Sequence, residues 1–145
     1  MESPSPDEKD EQMRQDVETA QRLSRKHSNY PPLAFLYLLR SLRDMLSQKK
    51  EAEHVTGREI CLTLRDNLQR DFAFLAPDVA CSMGVWETAD FGKMVYAMVE
   101  EGLFSTSDQD SLADFINVYL IPEAFLLPFR DSPSRRHAAW PVLEK

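Results

Sequence analysis

The sequence predicts a mainly α-helical chain, a three-helix core closed by a β-hairpin and preceded by two additional N-terminal helices. Three observations predict it. Apolar residues recur at three- and four-residue intervals through 35–46, 60–75 and 91–99, the repeat of one helix face. Helix-start chemistry precedes the first two stretches: Pro31-Pro32, then Thr56 with Glu59. Gly102 ends the third stretch, and the β-branched and aromatic run Asp114 to Leu120 follows turn residues at 106–111.

The first ten residues, MESPSPDEKD, carry charges and prolines with nothing to bury, the composition of a disordered leader. From Glu11 to Lys26 there is no Pro or Gly, and Met13, Val17, Ala20 and Leu23 give a first helix only a narrow apolar stripe. After Pro32, residues Phe35, Leu38, Leu39, Leu42, Met45 and Leu46 share one face of the second and most hydrophobic helix. Thr56 and Glu59 fit a capping box, with Val55 and Ile60 placed for a hydrophobic staple, so a third helix is expected over 57–74.

Ala76-Pro77-Asp78 starts a short helix to about Met83, with Gly84 as its left-handed terminator. Thr88 is the expected N-cap of a helix over 88–101, with Asp90 in the first turn favoured by the helix dipole. Its buried face is Phe91, Met94, Val95, Met98 and Val99, and Gly92 marks a place where another backbone comes close. A hairpin is expected over 102–120. Trp86, between two helices, reads as a packing residue of the core or its rim. The domain is bounded at 11–129, and 130–145 reads as a flexible tail.

Helix, short helix, helix and hairpin in this order resemble a winged helix-turn-helix domain over Thr56 to Ile121. A longer resemblance rests on YPPLAFLYLLRSL, HVTGREICLTLRD and ETADFGKMVYAMVEEGLFSTSDQDSLADF. Together these are similar to a family of small bacterial proteins of planctomycetes and verrucomicrobia with no established function. That resemblance implies a shared fold over Glu11 to Phe125 and no activity.

Charge bears on function more directly than topology. The 145 residues carry a formal net charge of −7. Within 86–115 the acids are Glu87, Asp90, Glu100, Glu101, Asp108, Asp110 and Asp114, and Lys93 is the one base. DNA binding needs Lys or Arg against phosphates, so this helix and its wing read as a surface for protein, not nucleic acid. The rival DNA surface is the Arg40, Arg43, Lys49 and Lys50 side. Trp140, in AAWPVL, stands in an otherwise polar segment and reads as a docking residue for this chain or for a partner.

Other chemistry finds little support. Cys61 and Cys81 lack zinc spacing and read as free thiols of a cytoplasmic protein. His27, His54 and His137 are scattered, with no nucleophile motif beside them. Asp108, Asp110 and Asp114 lack the glycine and closing Glu of a calcium loop. Asp90-Phe91-Gly92 spells a kinase triplet inside a helix, with no phosphate-binding loop anywhere. No apolar run approaches a membrane span. The chain therefore reads as a non-catalytic interaction module without cofactor or metal; a small enzyme is the remaining rival. The expected contact surface is Glu87, Asp90, Lys93, Glu100, Glu101, Asp108, Asp110 and Trp140.

Overall fold

A computed structural model describes residues 4–49, 55–107, 109–121 and 123–125. The described chain is mainly helical: α1 (Pro6–Lys26), α2 (Pro32–Ser47), α3 (Gly57–Phe72), α4 (Ala76–Ser82) and α5 (Thr88–Glu100), with 3-10 turns at Ala73–Leu75, Leu112–Phe115 and Glu123–Phe125. Among the described residues there is no strand. No described helix is long and apolar enough to cross a membrane.

α1 begins at Pro6, inside the expected disordered leader. The reason is local. The Ser5 hydroxyl accepts from Glu8 N at 3.2 Å, and the Glu8 carboxylate accepts from Ser5 N at 2.9 Å. Pro6 then supplies the first helical residue at no cost in hydrogen bonds. α1 lies along α2 through a thin stripe of Ala20 and Leu23, reinforced by Asp16. That carboxylate is 3% exposed and takes a two-pronged bond from Arg43 at 2.7 and 3.0 Å.

α2 buries Ala34, Phe35, Leu38, Leu39 and Leu42, as its spacing requires. Leu46, expected on the same face, is 41% exposed because the helix is already leaving the core. α3 opens on the anticipated Thr56–Glu59 capping box, with Glu59 N to Thr56 Oγ1 at 3.1 Å. It stops at Phe72, two residues short of the expected end, where Ala73 takes a positive φ of 50°. Phe74 and Leu75 are left exposed.

Gly84 ends the α4 segment at φ 81°, and a side chain there would also meet Asn29 O. Only glycine meets both demands. The chain then enters α5, the centre of the fold. Nine of its thirteen residues are buried, and Lys93 and Glu100, seven residues apart, mark one exposed stripe. That stripe is narrower than the polar face of an ordinary surface helix.

The expected hairpin is absent from the described residues. Ser111 caps a tight turn instead: its hydroxyl accepts from Ala113 N at 2.9 Å, and the Asp114 carboxylate accepts from Ser111 N at 3.1 Å. Asn117 then takes a positive φ of 54°, a conformation a strand does not use. A β-rich composition forms a strand only when a neighbour pairs with it, and residues 112–120 find α5 instead.

The four tyrosines share a consequence of this packing. Tyr30, Tyr37, Tyr96 and Tyr119 are all held above the ordinary phenol value of 10.0, each chiefly by burial. A raised folded-state value contributes stability that is intact below the unfolded value and lost as pH rises past it. The denaturant midpoint should therefore hold steady up to about pH 9 and fall steeply above about pH 10. A titration by tyrosine absorbance should show the phenols ionising together with unfolding rather than before it.

The covered face of the fifth helix and a candidate docking cleft

Phe115 explains why α5 is closed off. Its ring sits between two glycines, Gly57 at the start of α3 and Gly92 in the middle of α5. A Cβ at Gly92 would lie 2.7 Å from Phe115 Cγ and 2.8 Å from its Cβ; one at Gly57 would lie 2.9 Å from Phe115 Cε2. Tyr96 meets the same ring edge-on, with centroids 6.3 Å apart. Gly92 thus marks a close approach, as expected, but of a side chain rather than a backbone. Gly57, Gly92 and Phe115, far apart in sequence, meet at this one junction.

The junction is fastened at its far end by Thr88. Its hydroxyl donates to Phe115 O at 2.5 Å and accepts from Val118 N at 3.1 Å. The hydroxyl is thereby occupied, so Glu87 rather than Thr88 takes the N-cap position of α5. The segment expected to stand off as a wing lies flat on the helix it was expected to flank.

The expected contact surface divides accordingly. Asp90 is 8% exposed and faces inward: Tyr30 Oη donates to it at 2.6 Å, and Trp86 N and Glu87 N donate to its second oxygen at 2.9 and 3.1 Å. It is a bracket joining the α1–α2 connection to α5, not an interaction residue. Glu101 turns toward α1, accepting from Lys26 Nζ at 2.6 Å with Arg22 at 3.5 Å. The Lys26 bond holds its carboxyl below the usual range.

Glu87, Lys93 and Glu100 remain at the surface. Asp110 is half-buried, and its carboxylate accepts from Ser107 N at 2.7 Å. Asp108 and Trp140 lie outside the described residues, as do Lys50, His54 and residues 130–145. Trp86, expected in the core or rim, is 69% exposed. Burying Asp90 against Trp86 N holds the backbone inward there while the indole is turned out.

The rival basic side is engaged with the chain itself. Arg43 is committed to Asp16, Lys49 donates to Glu59 at 2.9 Å, and Arg40 reaches the Met13 sulfur at 3.3 Å. Cys61 is wholly buried, and burial pushes its thiol up to about 12. A thiol in that setting is a packing group rather than a nucleophile. Both cysteines are free thiols. Among the described residues no three His, Cys, Asp or Glu side chains gather as metal ligands would.

A concave surface remains beside the Phe115 junction. A cleft of about 670 Å³ opens between the C-terminal ends of α2 and α5 and the start of α3. Leu42, Leu46, Ile60, Val95 and Val99 line it from the helices, and Leu103 and Phe104 from the connection that leaves α5. Asp110 and Asp114 bring negative charge to one side, where both push the Tyr96 phenol up beyond the effect of burial alone. The volume lies within the range of clefts that hold small molecules or one or two side chains. The sequence did not single this cleft out: its lining comes from the ends of three helices and the connection after α5, which only the fold brings together.

Comparison with family models, with curated proteins and with solved structures finds no match.

Proposed function

We propose that this chain is a non-catalytic protein-interaction module, and that its cleft takes an apolar segment of a partner protein flanked by basic residues. The observation that carries this reading is the cleft itself: aliphatic on its helical walls, acidic at Asp110 and Asp114, and about 670 Å³ in volume. Apolar side chains seated there would leave water, and cationic neighbours would meet the two carboxylates.

The order of α3, α4 and α5 is that of a helix-turn-helix unit, and we read the domain as a relative of that architecture whose wing has folded back. Such an arrangement disfavours DNA. A recognition helix must offer a face to the major groove, whereas α5 leaves Lys93 and Glu100 as its exposed side chains.

Selection from a random peptide library on the full chain tests the proposal. Enriched peptides should carry bulky apolar residues beside Lys or Arg, and Leu46→Glu should weaken them at least tenfold. Leu46 is already 41% exposed, so the variant should fold. A gel shift at low salt should show no DNA retardation. Enrichment of unrelated peptides, or binding indifferent to Leu46→Glu and to Leu103→Glu, would remove the cleft from the account.

A further inference from the structure

We infer that the cleft is the seat of this chain's own segment 135–143, RRHAAWPVL, so that a partner binds by displacing it. The inference rests on the docking reading above and adds a regulator to it. Three observations support this occupant.

The first is chemical match. Trp140, Val142 and Leu143 are bulky and apolar, and Arg135 and Arg136 stand just before them. An apolar cluster preceded by two cations is the class of ligand that aliphatic walls beside Asp110 and Asp114 would select. In a chain of net charge −7, the stretch 130–145 has more basic than acidic residues: Arg130, Arg135, Arg136 and Lys145 against Asp131 and Glu144.

The second is reach. The described chain ends at Phe125, which is fixed on α3: the Gln69 side-chain amide donates to its carbonyl, and its ring meets Tyr119 edge-on at 6.3 Å. An extended stretch from there to Trp140 spans about 50 Å, against a diameter of roughly 40 Å for a folded chain of this length. The cleft lies at the start of α3, about 18 Å along that helix from Gln69, so the segment can reach it.

The third is the state of the cleft. Leu46, one of its walls, is 41% exposed, and the half-buried Val55, Val99, Leu103 and Phe104 join it there without completing a packed core. Aliphatic surface of this kind is stabilised by cover, and a tethered segment supplies it at high effective concentration.

The experiment uses the full chain with Trp86→Phe, which leaves Trp140 as its one tryptophan. Trp86 is 69% exposed, so its replacement should leave the fold intact. Trp140 should then emit as a shielded indole, with acrylamide quenching several-fold weaker than for free tryptophan. Adding Leu46→Glu to the walls, or Arg135→Glu with Arg136→Glu to the segment, should restore full quenching. The second pair lies outside the described domain and bears no risk to its folding.

A fully hydrated Trp140 would overturn the inference, as would shielding indifferent to both sets of changes, which would place the indole on another face. Shielding lost on dilution would overturn it too, since the occupant would then be a second copy. The two readings fail separately. Peptides enriched at the cleft with Trp140 hydrated would leave the docking module standing without its regulator. Shielding that depends on Leu46, with no peptide enriched, would leave a purely intramolecular seat and remove the partner.

Discussion

Phe115→Ala is expected to lower the unfolding free energy by about 3–5 kcal/mol, the range for truncating a buried phenylalanine. Phe115 is 3% exposed and fills the space between Gly57 and Gly92, so neither neighbour has a side chain with which to collapse into the void. The loss should extend beyond the cavity. Thr88 holds the carbonyl of this residue, and loosening the ring frees the 112–118 segment from α5. Urea denaturation reads the first effect, and amide exchange at Val118 the second. A change under about 1 kcal/mol would mean that the ring is not seated.

Asp90→Ala is expected to cost about 2–4 kcal/mol, because a buried acceptor is removed from several donors at once. Tyr30 Oη and the Trp86 and Glu87 amides all donate to this one carboxylate. Tyr30 is itself 5% exposed, so its hydroxyl has little water to take in exchange. Asp90→Asn should lose about half as much: the amide oxygen can still accept from both backbone N–H groups, and its nitrogen can donate to the tyrosine oxygen. Equal losses for the two variants would place the importance of Asp90 in its charge rather than in the bracket.

These two positions also mark where the sequence stopped being legible. The capping box at Thr56 and Glu59 spans four residues and the Gly84 turn is as local, so both are decided by local chemistry and could be read in advance. Asp90 fits the first turn of a helix for an equally local reason, its favourable place in the helix dipole. What turns it inward is Tyr30, sixty residues away in sequence. Nothing around Asp90 announces that partner.

The hairpin expectation failed in the same way. Residues 114–120 have the composition of a strand, but composition does not supply a pairing neighbour. The slot for Phe115 comes from two glycines in different helices, of which only Gly92 stood out, as a helix interruption awaiting a reason. Of the expected contact surface, Asp90 turns inward and Glu101 pairs with α1, which leaves Lys93 and Glu100 as the exposed charges of α5. Which of them face solvent depended on α1 and on Tyr30, and the cleft depended on three helices meeting at their ends. Both are properties of assembly rather than of any one segment.

The seat of Phe115 against α5 is tested most directly by a double-mutant cycle between Gly92 and Phe115. In the parent chain Gly92→Ala should destabilise by about 1–3 kcal/mol, although glycine to alanine inside a helix ordinarily stabilises, because the new methyl meets the ring. In the Phe115→Ala background the same change should cost less, because the 2.7 Å contact with the ring is gone; the Cβ of residue 115, at 2.8 Å, and the half-exposed Leu112 remain as neighbours. An identical effect of Gly92→Ala in both backgrounds would contradict the packing of this segment on the helix and reopen α5 as a surface that can be offered to DNA.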